Sequence, residues 1–531
     1  MHLLLFNLLI TLVLCPYLHA IDRHVRAEAT GANNGTSWTD AWTSFPSSTL
    51  YDREDTIYVA AGSYGTPSLN KPVSGTTIIT IVRATVSDHG SAVGWLDSYA
   101  SGQAIFDQIS IGTGYYIISG ERRDENNWLD LDAYGFRVNT PSSFSAANSY
   151  GVWSEYGKNS TISYVATDGS ARTDSAKGMK WGGTLGTTTL AENITISRCI
   201  FANTHDDGMK MVNALNCTIE LTHFGPKLTS PSGLHGDMIE INNTSNIIFR
   251  NNSCSYLGDG LHFGINGSSS NGWDIFGNVF RDSGGSQFKV QSATTAGKIQ
   301  NIRVYNNTLY NVKGFSLYSS GSLFDHSPNF NIKNTLYRNM ISGSISGETN
   351  ITVTTDPFVN VNARNFRLNA SASQVIDMGI VLGTTYNTDL DGTIRGSGLG
   401  WDVGAFEYNA GTPVVETVVP VLTAASVNTT GDVLSLVFSE SVINVIASHY
   451  TLDGATLSNA TGSGTTWNLT ISPAIIVNSV NTLSYVSGAG RTSDVAGNLL
   501  ESFSSSPVTN YSLVTPVKAT RKGRNNTGII R

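Results

Sequence analysis

One five-residue pattern recurs along the middle of the chain and constrains its fold more than any other feature. In every copy the third and fifth residues are apolar, and the fourth is charged or titratable. This alternation is that of a short β-strand, and one strand per unit of this length predicts a solenoid of stacked coils. The copies occupy 177–181, 207–211, 237–241, 259–263 and 286–290 and begin 30, 30, 22 and 27 residues apart.

The fourth residue is charged or titratable in all five copies, and the pattern places these side chains in one column on an outer face of the coils. If the third and fifth residues point inward, the second and fourth point outward, with neighbours in a column about 4.8 Å apart. The second residues then form a low strip beside a charged ridge, and such a groove suits a long polymer. The ridge is Lys180, Lys210, Glu240, His262 and Lys289, and the strip is Gly178, Gly208, Met238, Gly260 and Gln287.

A second recurrence supports the same architecture. Short β-type runs such as 247–249, 273–275 and 302–304 are each followed by a bend, and four successive bends carry Asn252, Asn278, Asn307 and Asn339. Stacked asparagines predict a ladder of amide hydrogen bonds between coils. Asparagine is also an ordinary turn residue, and that alternative stays open. Both interpretations imply repeated turns.

Composition favours an all-β protein and excludes some partners. Glycine is frequent at 53 residues, charged residues make up only 14%, and no 18-residue window has sustained helical periodicity. A net charge of −8 argues against nucleic acid, because a phosphate backbone requires a basic face. It does not argue against an acidic polysaccharide, because local charge decides that contact.

The chain divides into five predicted segments. Residues 1–20 read as a secretory signal, which predicts a secreted protein, and no later segment is apolar and long enough to span a membrane. The solenoid covers 21–410, a linker with prolines near both ends covers 411–420, and alternating strands at sandwich spacing cover 421–514. A basic tail follows at 515–531.

Both ends of the solenoid resemble known families. Residues 31–42 and 55–64 resemble the entry segment of secreted right-handed parallel β-helix proteins, and 389–408 resembles the closing segment of the bacterial choice-of-anchor Q family. The resemblance implies a right-handed parallel β-helix of the polysaccharide lyase and polygalacturonase superfamily. Asp389, Asp391 and Asp402 in the closing segment either bind a cation or cap the last coil through turn hydrogen bonds.

The C-terminal segment also carries a resemblance. Residues 438–442 and 494–499 are similar to bacterial immunoglobulin-like modules found beside secreted enzymes and adhesins. The resemblance implies a small β-sandwich that serves as a spacer or attaches the protein to a surface or matrix.

The densest polar region, 205–289, predicts chemistry in the groove. Asp207, Asp237 and Asp259 fall at the same place on three successive coils, and carboxylates so close need a cation or a proton. Lysines share this face, and adjacent ammonium groups lower one another's pKa, which suits a base near neutrality. Histidines add groups that titrate in the working range.

One hypothesis is a lyase that cleaves a uronate-containing polysaccharide by β-elimination. The reaction needs the substrate carboxylate neutralised, the α-proton removed by a base and the leaving oxygen protonated. Lys210 or Lys289 is the candidate base, His262 or His235 the partner acid, and carboxylates would hold Ca²⁺. This combination resembles the parallel β-helix pectate and alginate lyases. The candidate metal ligands are Asp206, Asp207, Asp237, Glu240 and Asp259, and the candidate substrate-binding residues are Lys177, Lys180, His205 and Gln287.

Two other hypotheses stay open. The order of polar elements is similar to that of the polygalacturonase family, on which Asp207 and Asp237 match catalytic aspartates and Lys289 a substrate-binding lysine. Asp259 and Gln287 depart from that family's pattern. The third hypothesis is a non-catalytic glycan-binding adhesin whose outer charges form a salt-bridge ladder of little energetic value.

Some aromatic residues are candidates to stack on sugar rings, although most aromatics in a β-solenoid fill the core. Trp181 is predicted to point inward by the alternation. The candidates are Trp128, Tyr134, Trp153, Tyr156, Trp181 and Trp273.

Overall fold

The computed structural model describes residues 21–515 except for 14 short gaps. The gaps are 90–91, 146–148, 184–189, 230–235, 256–257, 264–267, 291–298, 318–329, 343–348, 397, 410–418, 441, 489–490 and 495–497. The described chain forms two compact units, of which the first comprises residues 1–390 and 394–408 and the second 391–393 and 409–531. The predicted signal, the basic tail from 516 and most of the predicted linker lie outside the described residues.

The first unit is a parallel β-helix in which each full coil contributes a strand to three sheets. A strand of the first sheet passes through a bend into the second sheet, and a loop then leads into the third. The second and third sheets join because two long strands, Val279–Val290 and Thr308–Leu317, run through both. Every ladder between coils is parallel, which confirms the predicted solenoid.

The strands of the three sheets have the following bounds. The first sheet contains Asp22–Val25, Thr56–Val59, Ile79–Arg83, Tyr116–Ser119, Lys158–Ser163, Ala191–Ser197, Ala214–Glu220, Thr244–Arg250, Ser270–Phe276, Ile299–Tyr305 and Phe330–Lys333. The second contains Gly62–Ser63, Ala104–Phe106, Phe136–Asn139, Val165–Asp168, Ile200–Ala202, His223–Phe224, Ser253–Cys254, Leu336–Arg338, Ile351–Val353 and the first parts of the two long strands. The third contains Ser68–Leu69, Ile109–Ile111, Tyr150–Ser154, Lys177–Trp181, Met209–Val212, Asp237–Asn242, Asp259–Phe263 and the last parts of the two long strands.

Few other elements occur in the described part of the first unit. A hairpin pairs Phe358–Asn360 with Asn365–Leu368. The helical segments are Val86–His89, Asp97–Ala100, Leu131–Ala133, Val361–Ala363 and Thr384–Tyr386. Among the described residues, no helix has both the length and the apolar content needed to cross a membrane.

Strand alternation in the third sheet produces the core. The third and fifth residues of the five repeats are buried and stack from coil to coil, so Met179 pairs with Met209 and Trp181 with Met211. This confirms the predicted inward positions, including that of Trp181. The three free cysteines, Cys199, Cys217 and Cys254, are buried.

The predicted low strip beside the charged ridge is wrong. The second residue of each repeat is buried, and Met238 and Gln287 are both 0% exposed. A Cβ atom built on Gly178 would lie 2.9 Å from the core residue Phe201, so this position faces the interior although it belongs to the strand Lys177–Trp181. The outward positions are instead the first and fourth residues of each repeat, and these form two polar columns.

A ladder of buried asparagines joins successive coils where the first sheet bends into the second. Asn278 donates from its side chain to Asn307 Oδ1 at 2.9 Å, and Asn252 donates to Asn278 Oδ1 at 3.0 Å. The predicted ladder is therefore confirmed for these three residues. The prediction of Asn339 as the next member is wrong, because Asn339 is exposed and Thr335 occupies the position that follows Asn307 in the stack.

The closing segment of the first unit uses its acidic residues to hold backbone amides. Asp402 accepts from the backbone N–H of Asp377 at 2.7 Å, and Asp389 accepts from that of Glu407 at 2.9 Å. Glu407 accepts from Gly396 at 2.6 Å and Asp402 at 3.0 Å. Asp389 and Asp402 therefore cap the last coil through turn hydrogen bonds, which is one of the two predicted roles.

The buried carboxyl group of Glu407 should make the first unit less stable as the pH rises. Burial raises the pKa of Glu407 from 4.5 to about 7, so the folded state favours the protonated form. This contribution to stability is complete below about pH 4.5 and is lost as the pH rises through about 7. We expect Glu407→Gln, which stays neutral, to reduce the fall in the thermal unfolding midpoint across this window. An unchanged pH profile in the variant would contradict this assignment.

The second unit contains a mainly antiparallel seven-stranded sheet around its own apolar core. Leu434, Leu436, Leu469 and Leu483 are buried at its centre. The immunoglobulin-like assignment stays a prediction. The sheet strands are Tyr450–Leu452, Asn481–Tyr485, Phe503–Asn510, Leu422–Val427, Val433–Phe438, Thr466–Ser472 and Thr456–Ser463, with a separate pair formed by Val442–Ile443 and Ser493–Asp494 and a short helical turn at Ala447–His449.

Candidate active site on the third sheet

Two columns of polar side chains run along the outer face of the third sheet. The strand register pairs Lys180 with Lys210, Lys210 with Glu240, Glu240 with His262 and His262 with Lys289. The column predicted from the fourth residues of the repeats is therefore confirmed position by position. The column of first residues contains Lys177, Asp207, Asp237, Asp259 and Ser286.

The lysines of the two columns are held by carboxylates. Lys210 Nζ lies 2.8 Å from Glu240 Oε2 within the ridge itself. Lys180 Nζ lies 3.2 Å from Glu155 Oε1, outside the five repeats. Lys177 Nζ lies 3.3 Å from Asp206 Oδ2. Because each amine has an acidic partner, the face is not a row of bare cations and both signs of charge alternate along it.

Two ion pairs on adjacent coils form the centre of the site. His262 Nδ1 lies 2.9 Å from Asp237 Oδ2, and both side chains are at least 95% buried. Lys289 Nζ lies 2.5 Å from Asp259 Oδ2, whose other oxygen accepts the backbone N–H of Ser286 at 3.0 Å. Ligand atoms of Asp237, Asp259 and His262 all lie within 4.8 Å of one another, so these three residues can hold a metal ion.

The imidazole of His262 has one unused polar atom. Its Nε2 is buried and has no hydrogen-bond partner among the described residues. Because Nδ1 is directed at Asp237, the ring is held in one orientation and Nε2 is the atom left for another group. This arrangement identifies His262 as the histidine of the described site that a ligand can engage.

Asp207 and Glu240 form a carboxyl pair whose pKa values are shifted in opposite directions. Burial, followed by the charges of Asp206, Glu240 and Asp237, raises the pKa of Asp207 well above its ordinary value. Burial also acts to raise the pKa of Glu240, but Lys210 and hydrogen bonds from Asn242 and Asp207 outweigh it, so the pKa of Glu240 is lowered. A proton bound by the pair is therefore favoured on Asp207 over Glu240.

The site contains two residues that the sequence analysis did not assign to it. Lys227 follows the second sheet and lies near Asp206, Asp207 and Asp237, whose charges oppose the lowering of its pKa by burial. No repeat in the sequence marks this lysine, because it belongs to a loop. Tyr150 begins the strand that pairs with the Lys177 strand, and residues 150–154 share with the repeats the glycine at the second place and an apolar third residue, with Ser154 at the fifth. From that spacing, the sequence could have predicted that both columns continue through one more coil.

The structure does not place every predicted residue on the outer face. Gln287 is fully buried and donates to Gly285 O at 2.9 Å, and its contact with substrate stays a prediction. His205 and Asp206 are 7% and 9% exposed at the edge of the site. Burial lowers the pKa of His205. His235 lies outside the described residues.

The sequence matches no protein-family model and no curated protein. Among solved structures, the chain is similar in fold to a pectate lyase, Pel9A, with 15% identity, a TM-score of 0.43 and coverage of 73% of this chain and 98% of that one. A rhamnogalacturonan lyase matches with 12% identity, a TM-score of 0.36 and coverage of 69% and 97%. The alginate lyase AlyGC of family PL6 matches with 11% identity, a TM-score of 0.30 and coverage of 66% and 58%.

Proposed function

We propose that the protein is a polysaccharide lyase that cleaves a uronate-containing polymer by β-elimination. One observation carries this proposal: strand register brings Asp237, Asp259 and His262 within 4.8 Å of one another, with Lys289 on the adjoining coil. The reaction requires a positive charge at the substrate carboxylate and a base at the carbon beside it. A metal-ligating group next to an amine can supply both at one point of an extended surface.

The residues present fit a divalent cation in number and kind. Asp237 and Asp259 offer carboxylate oxygens, His262 offers an imidazole nitrogen, and the unpartnered Nε2 of His262 shows that the ring has capacity for a further contact. A cation bound by these residues would neutralise the substrate carboxylate and acidify the adjacent C–H bond. Because an imidazole ligand suits Mn²⁺ or Zn²⁺ and Ca²⁺ prefers oxygen ligands, the donor set favours the former over the predicted Ca²⁺.

The other predicted ligands are engaged elsewhere. Asp206 contacts Lys177, Glu240 contacts Lys210, and Asp207 accepts the backbone N–H of Asp237 at 3.0 Å. These contacts give them a positioning role. Asp207 in particular accepts the backbone N–H of Asp237 and so fixes the backbone position from which the Asp237 side chain extends.

Lys289 supplies the base in this proposal, and Lys210 contacts the polymer further along the column. Lys289 Nζ lies beside Asp259, one of the three ligating residues, and therefore beside the carboxylate of a bound uronate. It removes the proton from the carbon next to that carboxylate. Lys210 lies three coils away in the same column, about 14 Å along it, and so contacts another sugar of the polymer, while water protonates the leaving oxygen. The two amines thus contact different sugars of one extended substrate.

The proposal is tested by incubating the full-length protein with polygalacturonate, alginate and rhamnogalacturonan. We expect ultraviolet absorbance from the unsaturated uronate at new chain ends, rising together with new reducing ends. Reducing ends without that absorbance would show hydrolysis. Binding without either signal would show a glycan-binding protein, and both results would contradict the lyase proposal.

Removal of divalent cations is expected to abolish cleavage. After treatment with a chelator, Mn²⁺ or Zn²⁺ should restore the rate better than Ca²⁺ because of the imidazole ligand. A second measurement is independent of activity: the cation should raise the thermal unfolding midpoint of the wild-type protein but not that of Asp259→Asn. Asp282→Asn is the matched control, since Asp282 is 45% exposed and lies outside the ligating group. If the cation raises the unfolding midpoint equally in Asp259→Asn and Asp282→Asn, the assigned metal site is wrong.

A glycoside hydrolase is the second candidate, and one observation favours it. Glycosidases use one carboxyl group as a proton donor and a second as an ionised carboxylate. The raised pKa of Asp207 suits the first role, and the lowered pKa of Glu240 suits the second. The two groups share a hydrogen bond, whereas the carboxyl groups of glycosidases are separated by about 5–9.5 Å. Because Asp207 and Glu240 are closer together than the carboxyl pair of a glycosidase, we propose elimination rather than hydrolysis.

A further inference from the structure

The two outer columns continue for one coil beyond the lysines, and this extra coil carries aromatic residues. Register pairs Tyr150 with Lys177 and Trp153 with Lys180. Trp153 is the outward residue of its strand and is half-buried, whereas Trp181 on the next coil is inward and 1% exposed. The alternation of the strand therefore separates an outer tryptophan from a core tryptophan at neighbouring positions.

Each aromatic residue of this coil is paired with a lysine of the next. Lys180 Nζ lies 5.4 Å from the centroid of the Trp153 ring, and Lys177 Nζ lies 5.1 Å from that of Tyr150. Lys180 also contacts Glu155, which is one-third exposed at its side chain. Tyr156, two residues after the strand, is 51% exposed. An apolar ring, an amine and an exchangeable carboxylate thus meet at one place on the surface.

We propose that Trp153 and Lys180 form a distal subsite for a uronate residue of the polymer whose cleavage is proposed above, and the inference rests on that function. A pyranose ring presents an apolar face that packs on an indole, and its carboxylate replaces that of Glu155 at Lys180. The Trp153 coil lies three strands from Glu240, a distance of about 14 Å along the columns. Only an oligosaccharide of several residues can contact both places, so the subsite selects long chains.

The choice of uronate over a neutral sugar follows from the charges. The partly exposed pair of Lys180 and Glu155 is a contact that a sugar carboxylate can enter by exchange, because the Glu155 side chain is 33% exposed and can turn into solvent. A neutral sugar has no group to replace Glu155. Trp153 therefore contributes affinity for any pyranose, and Lys180 contributes the preference for uronate.

The test compares Trp153→Ala and Lys180→Gln with wild type on uronate oligomers of increasing length. We expect Trp153→Ala to raise KM by about tenfold for long oligomers with little change for the shortest that is cleaved, and kcat to stay within about twofold. Trp153→Phe should restore most of the affinity. Trp128→Ala is the matched control. Trp128 also has a cation over its ring, with Arg123 Cζ 3.9 Å from the ring centroid, but it lies on a loop outside the two columns.

A binding measurement separates this inference from the proposed function. Calorimetry with long uronate and neutral oligosaccharides should show weaker binding of both to Trp153→Ala and loss of only the uronate preference in Lys180→Gln. If wild type cleaves uronate but Trp153→Ala is unaffected at every length, the subsite is wrong and the lyase stands. If no polymer is cleaved but Trp153→Ala still loses binding, the subsite stands and the lyase is wrong. Equal losses in Trp128→Ala would overturn the assignment.

Discussion

Replacing Lys289 with alanine is expected to lower the rate of polyuronate cleavage by about 10²–10⁴-fold, the usual contribution of a positioned acid or base. Lys289 is the amine in contact with the ligating residue Asp259, at 2.5 Å. Its removal takes away the group proposed to receive the substrate proton. The measurement is the initial rate of ultraviolet absorbance at saturating and at limiting substrate, which separates kcat from KM.

Two further variants show whether the loss is chemical or structural. Lys289→Arg keeps a positive charge beside Asp259 but cannot act as a base, so it should be nearly as inactive as Lys289→Ala. Lys158→Ala removes a lysine that pairs with Glu192 on the first sheet and should leave the rate unchanged. Lys289→Arg with near-normal kcat would show that Lys289 serves only as a positive charge. A lower unfolding midpoint in Lys289→Ala would attribute part of its loss to stability.

Replacing Asn278 with alanine is expected to destabilise the first unit by more than any surface change. Asn278 is fully buried, donates to Phe249 O at 2.9 Å and to Asn307 Oδ1, and accepts two bonds from Asn252. Alanine leaves at least two buried groups without partners, each at a cost of about 1–3 kcal/mol. We expect a loss of about 3 kcal/mol or more in the free energy of unfolding, measured by denaturant titration of the full chain.

The matched control uses an asparagine from the outer face of the same coil. Asn271 accepts an exposed hydrogen bond from Asn301 at 2.7 Å, so Asn271→Ala should change the free energy of unfolding by no more than about 0.5 kcal/mol. If both variants lose the same stability, burial of the ladder is not what makes it important. Activity per folded molecule should be unchanged in both, because neither residue belongs to the proposed site.

The columns were predictable because strand alternation is a local property. Once Lys210 and Glu240 occupy equivalent positions of two repeats, parallel pairing places them side by side whatever the loops between them do. The same reasoning identified the core tryptophan Trp181 and the buried ladder through Asn278. It was wrong for Gln287, which is buried just after a register shift between Ser283 and Ser286 that interrupts the regular alternation of the strand Val279–Val290.

The partners within the columns were not predictable from spacing. Asp237 joins His262 and Asp259 joins Lys289, although the sequence is equally compatible with Asp237 facing Lys210. A shift of one or two ångströms in the backbone changes which charges touch, and this shift depends on loops that vary from coil to coil. Lys227 reaches the acidic residues from such a loop.

By itself, the sequence determined that this chain stacks strands into a parallel β-helix with a polar ridge, because hydrophobic alternation and repeat length need only local rules. Only the tertiary structure decided which acids, amines and imidazole meet, and that Trp153 extends the ridge by a coil. Those contacts depend on separations of a few ångströms between residues more than twenty positions apart, which loop geometry sets and a linear pattern does not record.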